Sequence, residues 1–348
     1  MALVRPEGID PAQNKAEIPT GTGGPVNIHA MQGGEAEEVS GLIYRVYRDT
    51  FPEKYLYDPA RIREMSTQSD RSSVVACDGD GQVIGYAALR PYSGYPEIGC
   101  ITTLSVAPEW RNRGIGEQLA KFMARNGSDR NYFCIAASAP TAYAYPQRIL
   151  NRQEFVPTVF LPGAIAEGLA FMDLTGKLRH RESLYICTKM NVNPEYGPQY
   201  LPPEYARLIM DIGAALGIRL MSGSGGYLPL APTEAGHATD AEWRTGYLWL
   251  RSIGPDYRDV IYEQVHQFIR SGTQTIRLHI DLGDPGAPAA AASAQRNGFF
   301  FAGVLPSRTG LILIMEHLEK TRVATQRLHA RSPMAKRLRA EYQSRFDP

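Results

Sequence analysis

"SVAPEWRNRGIGEQLAKFMA", residues 105–124, is the stretch on which the reading of this chain turns. It passes from an apolar, strand-like segment through Pro108 into Arg111-Asn112-Arg113-Gly114-Ile115-Gly116, and from there into an amphipathic helical pattern. A strand that ends where a helix begins exposes backbone N–H groups that have no intrahelical partner. The helix dipole adds partial positive charge at the same place. Such a junction suits an anion, above all a phosphate. Glycines at 114 and 116 let the backbone approach a ligand with no Cβ in the way. Arg111 and Arg113 add attraction and charge-assisted hydrogen bonds to phosphate oxygens. The stretch reads as a pyrophosphate cradle.

Working outward, "VNIHAM" (26–31) reads as a strand. Residues 35–47 read as a helix, with Val39, Leu42, Ile43 and Val46 at helical spacing. Asp58 and Pro59 open a second helix as cap and first helical residue. Two β-prone runs flank Asp78-Gly79-Asp80-Gly81, a hairpin signal. "IGCITTLSVAP" is a strand, 115–125 a helix, "NYFCIAASA" a strand, "PQRILNRQEF" a short helix and "VPTVFLPGAIAE" a strand and turn. The order β-α-α-β-β-β-α-β-α-β predicts a mixed sheet with helices on it, an α/β or α+β arrangement. Past a linker near residue 200 come a helix (204–217) and a Gly/Pro-rich loop (Ser222–His237). Then come the strand "TGYLWLRSIG", a helix ending at Gly272, the strand "TQTIRLHIDL", the helix "PAAAASAQRNGF" and a closing hairpin. This order matches residues 98–165 and reads as a diverged internal repeat.

The chain has 348 residues, 21% of them charged, and a formal net charge of +1. That composition fits a soluble globular protein of two domains. It gives no whole-protein case for nucleic acid or membrane as partner. Cys77, Cys100, Cys134 and Cys187 are far apart and form no metal or disulfide pattern. No signal peptide or membrane-length apolar run is evident, so a cytoplasmic location is expected. Residues 1–25 read as a flexible tail. Residues 319–348, with Arg327, Arg331, Lys336, Arg337, Arg339 and Arg345, read as a basic helical tail, a solvated terminal helix.

The segment Leu104-Ser105-Val106-Ala107-Pro108 followed by Arg111-x-x-Gly114-x-Gly116 resembles the acyl-CoA-binding motif of the GNAT superfamily of N-acyltransferases. The helices and hairpin that precede it resemble that family too, as does "ILNRQEFVPT", with Glu154-Phe155 where the family has Gly-Phe. The resemblance covers residues 26–195 well and 200–318 weakly, through Gly298-Phe299. It implies an α/β (α+β) chain of two GNAT-like lobes, each a mixed, mostly antiparallel sheet flanked by helices. The catalytic lobe would be 26–195 and a degenerate lobe 200–318. By this resemblance Leu104, Ser105 and Val106 lie along the pantetheine arm, and Arg111, Asn112, Arg113, Gly114, Ile115 and Gly116 hold the pyrophosphate of acetyl-CoA or another acyl-CoA. The second lobe's junction, Ser252–Arg258, lacks the second glycine and carries Asp256 and Asp259, which repel phosphate. One cofactor per chain is therefore expected.

Acyl transfer to an amine needs a deprotonated amine, a stabilised oxyanion and a proton for the leaving thiolate. The resemblance nominates the Val106 amide for the oxyanion. The family's usual base position holds Thr102 here, and its usual acid position holds Leu150. Glu97 as base and Tyr145 as acid are the substitutes, with Tyr143 close by. His180, His266 and His279 are isolated, read as satisfied or exposed, and no metal is expected. The function implied is N-acyl transfer from acetyl-CoA to a small-molecule or protein amine. A non-catalytic acyl-CoA sensor on the same scaffold is the alternative, favoured by Thr102 and Leu150. An aminoacyl-tRNA-dependent transferase ranks third. A homodimer is left open.

Overall fold

The computed structural model describes residues 16–18, 24–171, 176–224, 230–319, 323 and 328–346. Most of the expected N-terminal tail, and Arg327, lie outside them. Within that tail, Ala16–Ile18 forms strand β1, antiparallel to β2 (Val26–Ala30).

The local signals have their elements. Helix α1 (Ala36–Tyr47) buries Val39, Leu42, Ile43 and Val46, the face given by the 3.6-residue spacing. The Asp58 carboxylate caps α2 (Pro59–Ser66), accepting from the N–H groups of Ala60 and Arg61. β3 (Ser72–Cys77) and β4 (Val83–Tyr92) flank the Asp-Gly turn. β5 (Tyr95–Val106) leads into α3 (Ile115–Asp129), followed by β6 (Cys134–Pro140), α4 (Ala144–Arg152) and β7 (Val156–Ile165). β8 (Ala170–Phe171) and β9 (Gly176–Lys177) make a separate small pair. β10 (Glu182–Met190), around the β-prone run Leu184-Tyr185-Ile186-Cys187 and not among the expected elements, lies between β6 and β7. After α5 (Ala206–Ala215) comes β11 (Glu234–Asp240), in what reads as loop. Its residues are mostly exposed, and it is an edge strand paired only with β12 (Thr245–Ser252). α6 (Tyr257–Arg270), β13 (Thr275–Asp281), α7 (Ala287–Arg296), β14 (Phe300–Pro306), β15 (Leu311–Leu318) and α8 (Pro333–Phe346) complete the chain.

Thirteen strands form one sheet in the order β1-β2-β3-β4-β5-β6-β10-β7-β14-β15-β13-β12-β11. Within it, β4-β5-β6-β10-β7 and β11-β12-β13-β15-β14 are the same arrangement, run in opposite senses from the middle. β5/β6 and β12/β13 are the parallel pairs; the other ladders are antiparallel. The internal repeat is therefore present in the connectivity.

The halves meet between β7 and β14 through a single ladder pair, Val159 with Gly303. Gly303 has φ 147°, and a Cβ there would sit 2.1 Å from the Thr158 carbonyl oxygen. Only glycine allows this approach. Both α5 and α8 pack on β7 and β14. The Tyr342 ring lies 5.5 Å from Phe160 and 5.3 Å from Phe300, and Ala335 and Leu338 are buried. The basic C-terminal helix is thus not solvated all round: one side closes the junction, because its few apolar residues face it. Arg337 pairs with Asp211 of α5 at 2.6 Å. Among the described residues no helix is long and apolar enough to cross a membrane.

Gly303→Val should destabilise the chain by about 3 kcal/mol through overpacking against β7. Urea unfolding measures it, and a loss below about 0.5 kcal/mol, the usual range of a surface substitution, would contradict the account of the junction.

Candidate active site

The parallel pairing of β5 and β6 runs from Ile98–Cys134 to Ile101–Ala137 and stops there. Beyond it the strands separate, and residues 102–106 on one side and Ala137, Ser138 and Pro140 on the other line a cavity of about 1010 Å³. On its other edge β5 carries a bulge. Tyr86 pairs with Ser105 and Ala88 with Thr102, so Thr103 and Leu104 together face Ala87. Thr103 has φ 51°, the local kink that an extra residue requires. The hydroxyls of Thr102 and Thr103 are buried with no hydrogen-bond partner among the described residues. The Ala107 N–H donates to Ile84 O, back toward β4. Successive strand amides alternate in direction, so the Val106 N–H faces the gap.

The strand then enters α3. Asn112 (φ 63°) and Gly114 (φ 80°) are both left-handed, a turn that gathers successive N–H groups into a concave nest. Among the described residues, the N–H groups of Asn112, Arg113, Gly114, Ile115 and Gly116 have no acceptor. A Cβ on Gly116 would sit 3.4 Å from Ile149 and 3.5 Å from Leu104, ordinary contact distances, so the first helical turn packs against β5 and α4. Arg111 Nε donates to Val106 O at 3.3 Å, and the Arg113 guanidinium stacks on Trp110 at 4.6 Å. Leu104, Ser105, Val106, Arg111, Asn112, Ile115 and Gly116 line the cavity; Arg113 and Gly114 stand outside its wall. These features fit a diphosphate joined to a long arm.

The proposed acid and base fare differently. Tyr145 lines the cavity at the start of α4, 37% exposed, with Arg148 at 5.7 Å over its ring; Tyr143 and Leu150 line it too. Glu97 does not line it. It sits nine residues from Val106 along β5, roughly 30 Å at 3.3 Å per residue, where its backbone binds Phe133. The carboxylate that does line the cavity in a buried position is Glu53 (8% exposed), in the turn after α1. Arg90 Nη2 donates to its Oε1 at 3.1 Å, and its Oε2 is buried without a partner among the described residues. Tyr47 and Ser105 lie between it and the strand end. The Ser105 hydroxyl donates to Tyr47 Oη at 3.2 Å, and burial raises the Tyr47 pKa above its ordinary value. Cys100, in the same wall, is pushed up to about 11 by burial and so stays a thiol. Nothing in the local sequence around Glu53 announces it, since Arg90, 37 residues away, sets its position.

Residues 41–145 match the model of the Acetyltransferase (GNAT) family. This segment is a GNAT acetyltransferase domain. The match takes in the bulge, the nest and the splayed pair. No curated protein matches the sequence. Among solved structures, the chain is similar to an N-acetyltransferase from Staphylococcus aureus Mu50 (13% identity, 48% of this chain and 99% of the other, TM-score 0.40). It is also similar to a putative acetyltransferase from Salmonella typhimurium in complex with acetyl-CoA (13%, 49% and 97%, 0.40). A third is a mutant spermidine/spermine N-acetyltransferase from Vibrio cholerae (12%, 48% and 95%, 0.37).

The second half repeats the strand order of the first but fills its own strand-helix junction with side chains. The Ile253 N–H donates to Asp284 at 2.9 Å, the Gly254 N–H to Thr233 Oγ1 at 2.9 Å, and the Thr233 N–H to Asp256 at 2.7 Å. A Cβ on Gly254 would lie 2.1 Å from Ala231 O. This half instead walls the GNAT cavity, through Asp240 to Trp243, Tyr247 and Arg277. The two halves exchange hairpin tips. Gly94, between β4 and β5, presses on the Trp249 indole, where a Cβ would come within 2.4 Å. Trp243, between β11 and β12, meets Phe51 edge-on at 6.3 Å. His279 lies under the first tip, stacked on Tyr95 at 5.6 Å. It is neither satisfied nor exposed: both ring nitrogens are buried without partners among the described residues, and burial lowers its pKa to about 3. The donor atoms of His29, Glu35 and Cys77 lie within 4.8 Å of one another, away from the cavity. Glu35 is already bonded there to His29 and to the Gln32 N–H, as a helix-start cap.

Arg277 pairs with Glu316 at 3.3 Å. Burial outweighs this pairing and pushes Glu316 up from 4.5 to about 7. Between those values the folded chain holds a proton that the unfolded chain has released, so this group's contribution to stability falls as pH rises through that window. The stability of the wild type relative to Glu316→Gln should decline from about pH 5 to about pH 7 in urea unfolding. A flat or rising difference would contradict the assignment.

Proposed function

We propose that the chain transfers an acyl group, most simply acetyl, from acyl-CoA to the amine of an acceptor held in the cavity between its halves. The observation that carries this reading is the run of unpartnered amides from Asn112 to Gly116, set beside a strand pair that opens past Ile101. The first lobe (26–195) binds the coenzyme, Leu104, Ser105 and Val106 following its arm and Arg111 to Gly116 its diphosphate. The second lobe (200–318) is a degenerate GNAT-like copy that shapes the acceptor pocket. Its filled junction supports one coenzyme per chain. The four cysteines are all free thiols, in keeping with a cytoplasmic protein.

In the proposed chemistry Glu53 takes a proton from the acceptor ammonium, with Arg90 fixing the carboxylate. The amine nitrogen bonds to the acyl carbon, and the Val106 N–H donates to the oxygen on which charge develops. As the C–S bond breaks, Tyr145 gives its proton to the thiolate and recovers one from the second proton that the nitrogen sheds, while Glu53 passes the first to solvent. Glu53 replaces Glu97 as the base because, of the two, Glu53 lines the cavity and Glu97 does not.

Calorimetry with acetyl-CoA tests the reading: one molecule should bind per chain. Gly114→Glu, which adds charge beside the nest at a left-handed position, should abolish binding in a folded protein. Glu53→Gln should bind acetyl-CoA but lose about 100-fold in kcat, the size of a general-base contribution. Two coenzymes per chain, or full affinity in folded Gly114→Glu, would contradict the proposed site. Coenzyme binding with no transfer to any amine would select the sensor.

A further inference from the structure

The far wall of the cavity holds more cationic hydrogen-bonding capacity than the protein uses. Arg277, on β13, is buried yet lines the cavity. Its Nε donates to Glu316 Oε1 at 3.3 Å and its Nη1 to Tyr247 Oη at 3.2 Å; Nη2 has no hydrogen bond among the described residues. Arg90, from β4 of the other half, spends Nη2 on Glu53, and its Nε is buried without a partner among the described residues. Tyr247 couples electrostatically to both guanidinium groups. A guanidinium offers five donors in a planar fork that matches a carboxylate. Among the described residues the only carboxylate on Arg277 is its cross-strand neighbour Glu316, held by one long contact rather than a fork. Burial also favours the protonated form of Glu316, and buried Arg181 draws on the same carboxylate. Buried cationic donors left unused are costly unless a ligand pairs with them. Glu53, the group that would receive the amine proton, is hydrogen-bonded to Arg90 in the same wall.

We propose that the acceptor is an amine that also carries a carboxylate, an amino acid or related zwitterion, whose carboxylate sits on the free edge of Arg277 beside Tyr247 while its amine turns to Glu53. This rests on the acyl-transfer reading and adds the acceptor's chemical class. The second lobe thereby acquires a role in specificity, since Tyr247 and Arg277 select the substrate from across the lobe junction. Asp240 and Glu242 also line the cavity, but Asp240 accepts from the Trp243 N–H and Glu242 is exposed, and neither is hydrogen-bonded to Arg277.

Matched pairs of ligands that differ only by the carboxylate provide the test: alanine and ethylamine, phenylalanine and phenethylamine, lysine and cadaverine. Their binding to the full chain saturated with CoA is measured by calorimetry. In at least one pair the carboxylate-bearing member should bind tenfold or more tighter, a fold-change of about 10 to 100 for a charge-assisted bond. Arg277→Met should shrink that ratio to within about threefold, under the energy of one such bond. Since Arg277→Met leaves Glu316 buried alone, the double variant Arg277→Met/Glu316→Gln removes both charges and is read the same way. Preference for the plain amines, no binding by any member, or a ratio that survives the double variant would overturn the proposal. Failure of the acyl-CoA reading shows separately, as absent CoA binding before any acceptor is added.

Discussion

The structure depends on a strand pair that stops pairing. β5 and β6 are hydrogen-bonded only from Ile98 to Ile101, and past that point the polar groups of the backbone need other partners. A closed sheet would satisfy them internally. Here the bulge at Thr103 and Leu104 bends β5 away, and the left-handed residues Asn112 and Gly114 turn the following amides inward. Donors that the chain leaves unpaired must be met by water or by a ligand that supplies acceptors. The same opening creates the cavity.

The second half shows what happens when that opening is closed. It keeps the strand order, but at its strand-helix junction Asp284 and Thr233 accept from the Ile253 and Gly254 amides, and Asp256 accepts in turn from the Thr233 N–H. With that junction filled, it contributes surface: its hairpin tip meets Phe51, and Tyr247 and Arg277 complete the cavity wall. Gly94 and Gly303 mark two places where the halves come too close for a Cβ, at Trp249 and at β7. A side chain at either would force them apart.

Much of this was legible in the sequence because it is written in local patterns. The cradle, the Asp58 cap, the Asp-Gly turn and the helical stripe of α1 are each set by neighbours in the chain. The family resemblance was legible through Leu104–Gly116. β10 is hidden because a strand buried on both faces lacks the alternation that marks one, and β11 because an exposed edge strand needs no apolar alternation. Glu97 was misplaced, since sequence does not say how far along a strand a cleft begins. Glu53, Tyr247 and Arg277 could not be found locally: Glu53 depends on Arg90, and Arg277 on strand pairing that brings a second lobe to the first. The C-terminal helix looked solvated because three buried residues, Ala335, Leu338 and Tyr342, are a faint signal among so many charges.

Amide hydrogen exchange on the full chain, with and without CoA, tests the central claim most directly. Open donors at Val106 and from Asn112 to Gly116 should become protected by at least about tenfold when the coenzyme is bound, the effect of about 1.4 kcal/mol of added pairing. The counterpart amides of Ile253 and Gly254, already bonded within the chain, should not change. Unchanged exchange from Asn112 to Gly116 at saturating CoA would contradict the account.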